Sequence, residues 1–205
     1  GWGHTGMKNA MFPVGGSRAR GTLGNLADEL KTLLTPEEYA TAARSTQYAH
    51  YTTPEVIASM WRAAQRLGFR GGRVWEGGFG IGRFQGLIPE DLAGRTVMSG
   101  VEMDHVSAAI ARLLYPKADL RQGDFVDFPL LSDTFDLAIG NPPFSDRTVT
   151  ADRQFARHKL LLHDYFIAKQ VVMLKPGGIA ILVTSHGTMD KGSQKARELI
   201  ASQAD

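Results

Sequence analysis

The sequence predicts an α/β protein: an open, mostly parallel, doubly wound sheet preceded by a helical extension. Three observations carry that expectation. After residue 72, strand-like runs alternate with helical patterns, which implies right-handed crossovers between parallel strands. The run "IAILVTS" at 179–185 is apolar throughout, as strands buried on both faces are. Ahead of residue 72 the pattern reads as two or three helices and no strand. At 205 residues the chain is long enough for one sizeable domain with a full core.

Residues 1–21 are glycine-rich and lack periodicity, so they read as a loop or arm. A helix follows over 22–34, with Leu23, Leu26, Leu30, Leu33 and Leu34 on one face. In "TPEEYATAARST", Thr35 is a good N-cap, Pro36 suits the first helical position and Glu38 closes a capping box. "TPEVIASMWRAAQRLGF" repeats the signal, with Thr53 as cap, Pro54 first and Gly68 as the stop. Strands are then expected at 73–78, within 95–104, and at 118–125, 135–141 and 179–185. Helices are expected at 105–116, ended by Pro116, and at 156–174, ended by "KPGG". With five strands counted, an uncovered sheet edge is expected near 179–185.

Composition excludes several function classes. Lys+Arg 23 against Asp+Glu 21 gives a net charge of +2, so a nucleic-acid surface would have to be local. Cysteine is absent, which removes disulfides, thiolate zinc sites and cysteine nucleophiles, and fits a reducing cytoplasm. The six histidines are scattered without metal-ligand spacing, so no metal is expected. No apolar run approaches the about 20 residues of a membrane span, and no signal peptide is visible. The chain starts on Gly1 and its last segment reads as a helix that stops abruptly, so a fragment of a longer chain is expected.

Ligands of open parallel sheets sit at the carboxyl ends of the strands, so the residues after each strand matter most. The first strand runs into "EGGFGIG", where Gly78, Gly80 and Gly82 allow a tight turn and a close backbone approach. Glu76 ahead of that turn suits a cationic group. The spacing is not that of a dinucleotide site, and a plain glycine turn is an equal reading. Glu102 ends the second strand about twenty residues later, where an acid accepts from ribose hydroxyls; a solvated strand-end carboxylate is the bland alternative. Asp124 and Phe125 end the third strand and suit an exocyclic amine and an adenine ring, although a turn aspartate beside a core phenylalanine explains that pair alone better. Three acids at successive strand ends fall in the order a nucleoside site needs.

The fourth strand stops on Asn141-Pro142-Pro143-Phe144. Two prolines have no N–H to give a sheet and hold their carbonyls rigidly, which makes a fixed acceptor site. With this motif the set resembles the class I S-adenosylmethionine-dependent methyltransferases. More closely, it resembles the amino-methylating DNA methyltransferases in which the cofactor region precedes the catalytic motif. "WEGGFGIG" resembles their glycine motif, and "GVEMD", "QGDF" and "NPPF" their acid, adenine-side and catalytic motifs. "AHYTTPEVI" at 49–57 resembles the segment that folds over the cofactor. The likeness extends to methylase domains of very large methylase–helicase fusion proteins of phages and plasmids, where "GWG", "LLTPEEY" and "TMDKGSQKAREL" also recur. It covers nearly the whole chain. Gly77 stands where the family usually has proline, so a looser loop is expected.

The resemblance implies a Rossmann-like class I methyltransferase fold, C-terminally truncated, with an extension at 1–50 and the catalytic domain at 51–205. It implies S-adenosylmethionine held by Tyr51, Thr52, Glu76, Gly78, Gly80, Gly82, Glu102, Asp124 and Phe125. It implies catalysis by Asn141, Pro142, Pro143 and Phe144 on the N6 amine of a flipped adenine in DNA, with no metal. Partners would be DNA and, in the parent chain, a helicase and a target-recognition region. The basic loop "SDRTVTADRQFARHK" would hold phosphates or close over the base, a solvated connection being an equal reading. Two rivals stay open: transfer to another planar amine (cytosine N4, RNA adenine or a protein glutamine), and a weakly active cofactor-binding or interaction module of a larger protein. The target sequence and the role, whether antirestriction, self-protection or regulation, are not legible.

Overall fold

The computed structural model describes residues 9–13, 21–48, 51–190 and 192–204. Most of the arm read over 1–21, and Ala49 and His50 of the 49–57 segment, lie outside the described residues. The chain divides into two compact units, Gly1–Tyr51 and Thr52–Asp205.

The first unit holds α1 (Thr22–Leu33) and α2 (Pro36–Tyr48). The capping box forms as expected: the Thr35 N–H donates to Glu38 Oε2 at 2.8 Å and the Glu38 N–H to Thr35 Oγ1 at 3.3 Å. The leucine face of α1 is not buried within this unit. Leu23, Leu26 and Leu33 are exposed, while Ala27 joins Met11 and Phe12 in a small cluster flanked by Leu30 and Tyr39.

The second unit opens with α3 (Pro54–Arg66). Thr53 caps it by position only and makes no side-chain cap bond. Gly68 stops it in the left-handed region, φ 106°, and both Schellman bonds form, Phe69 N–H to the Ala64 carbonyl and Gly68 N–H to the Gln65 carbonyl. Next come β1 (Gly72–Gly77), the short helices α4 (Arg83–Gly86) and α5 (Glu90–Ala93), β2 (Thr96–Glu102), α6 (His105–Leu114), β3 (Asp119–Gln122) and β4 (Phe135–Gly140). The chain continues through α7 (Leu162–Val172), β5 (Leu174–Leu182), α8 (His186–Met189) and α9 (Lys195–Ala201).

All strand pairings are parallel, in the order β3-β2-β1-β4-β5. The order reverses between β1 and β4, and the crevice for a ligand lies outside their carboxyl ends. Alternation divides the core. Val74, Met98, Leu137 and Ile139 pack with Ile57, Trp61 and Ala64 of α3 on one face. Trp75 and Val101 pack with Tyr165 and Phe166 of α7 on the other.

Two elements differ from the sequence reading. The expected helix over 156–174 begins only at Leu162, after a single 3-10 turn at Ala156–His158 that ends on Lys159 in the left-handed region, φ 49°. "KPGG" does not merely end a helix: it lies inside β5 as an irregularity, so that Phe135 pairs with Leu174 but Leu137 with Ile179. That slip turns Phe135 to the face opposite Leu137. β5 is also an edge strand, which is why Ile179 and Ile181 are only partly buried despite the apolar run.

Candidate active site at the switch point of the sheet

The two strands that flank the reversal deliver the two most distinctive segments. β1 ends at Glu76-Gly77 and β4 at Gly140, followed directly by Asn141-Pro142-Pro143-Phe144. They meet closely. A Cβ placed on Gly78 would stand 3.8 Å from Pro143 Cδ, and one on Gly140 3.2 Å from Glu76 Cγ. Gly78, Gly80 and Gly82 all have positive φ, so the turn needs residues without a Cβ. At Gly82 the space is closed as well, since a Cβ would come within 2.6 Å of Tyr115 Cε2.

Glu76 is 3% exposed, and its Oε2 has no hydrogen-bond partner. Burial, and then the negative charge of Glu102, push its carboxyl well above the usual carboxylate range. A buried carboxyl oxygen left without a donor is the complement of a cationic ligand. Glu102 is tied down: the Gly80 N–H donates to its Oε2 and the Asp104 N–H to its Oε1, both at 2.8 Å. Burial raises its carboxyl too, although those two N–H groups oppose the shift. It therefore holds the glycine turn as well as facing the crevice end of β2. Asp124 Oδ1 accepts from the Val126 N–H at 2.9 Å and shapes the turn after β3.

Phe125 departs from the expected stacking role. Its ring is 2% exposed, 4.7 Å from Phe166 and 5.8 Å from Trp75 between centroids. The core claims it, as the blander reading of "QGDF" has it. Tyr51 is the last residue of the first unit and Thr52 the first of the second.

In the motif, Pro142 is buried and Asn141, Pro143 and Phe144 are half-buried. The Phe144 ring lies 6.1 Å from that of His163, tilted 35°. His163 is buried in the first turn of α7, its Nε2 3.5 Å from Asp164 Oδ1. The segment after the motif is a closed loop. The Val149 N–H donates to the Leu160 carbonyl and the Leu162 N–H to that of Arg147, at 2.8 and 2.9 Å. Val149, Phe155 and Leu160 are buried beneath it, while Arg147, Arg153, Arg157 and Lys159 are exposed. The basic loop is thus anchored at its base by these two backbone bonds.

Sequence reasoning missed Gln170, whose Oε1 accepts from the Gly77 N–H at 3.2 Å, and Lys169 and Tyr165, which bond Asp152. The signal was present: "DYFIAKQVVML" sets adjacent Lys and Gln inside an apolar run, and polar groups inside a buried helix need partners.

The family model of the Eco57I restriction-modification methylases matches residues 100–205, just over half of the chain, from within β2 past the Asn-Pro-Pro-Phe motif to the last residue. The chain belongs to that family. Among solved structures, the methyltransferase subunit of a type I restriction-modification system from Streptococcus thermophilus is similar in fold, with a TM-score of 0.60 at 19% identity. The match covers 89% of this chain and 46% of that one, so the chain spans about half the length of that subunit. A TehB-like S-adenosylmethionine-dependent methyltransferase from Corynebacterium glutamicum matches at 17% identity and a TM-score of 0.48, over 87% of this chain and 80% of its own. An amino pentose methyltransferase from Micromonospora echinaspora, solved with S-adenosylmethionine bound, matches at 22% identity and 0.46, over 73% and 56%. Curated proteins contain no match to the sequence. The fold is that of the class I methyltransferases. Among the described residues no group of three metal-ligating side chains occurs, and no helix is long and apolar enough to cross a membrane.

Proposed function

We propose that the chain carries the catalytic site of a DNA adenine-N6 methyltransferase that uses S-adenosylmethionine. The observation that supports this most is the junction of the Asn-Pro-Pro-Phe motif with the glycine turn at the sheet's reversal, Gly78 against Pro143 and Gly140 against Glu76. A methyl donor and an acceptor amine have to meet at such a junction. The residues fit the cofactor: Glu76 offers a buried oxygen without a donor, suited to a cationic group, and Glu102 offers acceptors for ribose hydroxyls. Gly78, Gly80 and Gly82 let the backbone approach, and Asp124 lies on the adenine side. Phe125 backs that wall from the core. When bound, S-adenosylmethionine supplies an electrophilic sulfonium methyl.

The chain's own groups prepare the amine. The N6 lone pair is delocalised into the ring, so N6 is a poor nucleophile. The Asn141 carboxamide oxygen and the Pro142 carbonyl accept its two hydrogens, draw them out of plane and face the positive charge that grows on N6. Pro143 keeps the segment rigid, and Phe144 stacks on the base, worth about 1–3 kcal/mol. The base reaches the site by flipping out of the duplex, which costs a few kcal/mol. Arg147, Arg153, Arg157 and Lys159 hold phosphates beside it. Target recognition and a fused helicase are proposed for the full-length protein, with the unit from Thr52 onward carrying the chemistry.

The test is methyl transfer from labelled S-adenosylmethionine by the full-length protein to DNA, RNA and protein, with the modified nucleosides identified by mass spectrometry. N6-methyladenine in DNA is the expected product. N4-methylcytosine, methylated RNA or methylated glutamine would assign another planar amine.

A further inference from the structure

Lys169 of α7 is 1% exposed, yet it carries an ammonium group into the core. Four acceptors surround its Nζ and share its three N–H groups: the Phe128 carbonyl at 2.7 Å, the Phe125 carbonyl at 2.8 Å, the Tyr165 hydroxyl oxygen at 2.9 Å and Asp152 Oδ2 at 3.0 Å. The Tyr165 hydroxyl donates in turn to Asp152 Oδ2 at 2.8 Å, which leaves its oxygen free to accept from the lysine. The ammonium also lies 4.8 Å from the centroid of the Phe125 ring. Asp152 Oδ1 accepts from the Gln154 N–H at 3.0 Å, so the same carboxylate that meets Lys169 organises its own loop.

Apart from Tyr165, which lies on α7 itself, the partners come from two segments without regular structure. Phe125 and Phe128 belong to the turn after β3, which follows Asp124. Asp152 belongs to the closed loop after the Asn-Pro-Pro-Phe motif, which presents Arg153, Arg157 and Lys159. Packing alone does not call for a charge here, because buried ion pairs can often be replaced by apolar groups without loss of stability. What an apolar side chain lacks is directed hydrogen bonds to both segments at once.

We infer that Lys169 is a positioning residue that locks the turn on the cofactor side of the site to the basic loop on the target side. What the two segments border rests on the function proposed above; the lock itself does not. Its consequence is coupling: movement of the basic loop on DNA would be felt at the turn that carries Asp124, and cofactor binding would be felt in the loop, by equal factors in the two directions.

The test is made on the full-length protein with Lys169→Met, Asp152→Asn and Glu102→Ala. Hydrogen exchange is followed by mass spectrometry, and S-adenosylmethionine affinity is measured by calorimetry with and without unmethylated duplex DNA. In Lys169→Met, amides of 123–128 and of 147–158 should exchange at least tenfold faster while those of β1 and β4 keep their rates. Cofactor affinity should fall several-fold, and its response to DNA should be lost. Asp152→Asn keeps volume and an acceptor but removes the charge; it should loosen both segments less. That variant carries the test if Lys169→Met does not fold. Wild-type exchange in both segments, loosening of only one, or equal loosening throughout the chain would overturn the lock. Should Glu102→Ala leave cofactor affinity unchanged, the cofactor reading fails, and the exchange pattern still decides the lock.

Discussion

Gln170 restrains Gly77, the position at which the resemblance leads one to expect a proline. Its Oε1 accepts from the Gly77 N–H, a donor that proline lacks, and its Nε2 donates to the Phe166 carbonyl at 3.0 Å. The looser loop expected from Gly77 is therefore pinned from α7. Gln170→Leu would leave that buried N–H unpaired, at a cost of about 1–3 kcal/mol. A lower melting temperature and weaker S-adenosylmethionine binding are expected, measured by thermal denaturation and calorimetry. Glu102→Ala removes two charge-assisted bonds and, on the function proposed, the acceptors for the ribose; calorimetry should show at least a several-fold loss of cofactor affinity. Glu76 gives a pH signature. Its carboxyl is raised in the free protein, and a bound cation would pull it back down. Binding then releases a proton, so affinity rises with pH between the bound and free values. Glu76→Gln should flatten that slope, and calorimetry in buffers of different ionisation enthalpy would detect the released proton. A proton count of zero for the unmodified protein would remove Glu76 from contact with the cation.

At the scale of elements, the succession of strands along the chain and the residues that end them were legible because period, glycine and proline are local signals. α3, α6 and the starts of β1 and β4 lie close to where periodicity and caps put them. The misreadings share a cause, tertiary context overriding local pattern. The leucines of α1 promise a buried face, yet its small residues Gly24 and Ala27 are the buried ones. "KPGG" has the composition of a helix stop, but β4 recruits it into an irregular edge strand. In α7 the polar residues His163, Asp164, Lys169 and Gln170 are all buried, which the helical pattern alone does not announce. Nothing local announces a partner 93 residues away, as Gly77 is from Gln170. The loop after the motif offers a prediction at this scale. If Arg153 and Arg157 contact phosphates, changing each to Ala should weaken DNA binding across sequences and lower the salt-dependence slope by about 1 apiece. Filter binding over a range of salt measures this; an unchanged slope would return the loop to a solvated connection.

Across the whole molecule, one geometric fact organises the rest. The sheet reverses between β1 and β4, and the chain sets its glycine turn and its Asn-Pro-Pro-Phe motif on either side of that reversal. Family membership, the class I fold and the strand-end acids converge on that crevice. The candidate catalytic residues were legible because their chemistry is written in four consecutive positions. The supporting residues were not, because α7 brings them in from more than 20 positions further along. The most direct test of the account is the rate of methyl transfer to unmethylated DNA by full-length Asn141→Ala, alongside cofactor affinity and thermal stability. Loss of one preorganised acceptor should slow turnover by about 10²–10³-fold, with cofactor affinity and melting temperature nearly unchanged. Wild-type turnover in that variant would contradict the account and make the motif a structural strand stop.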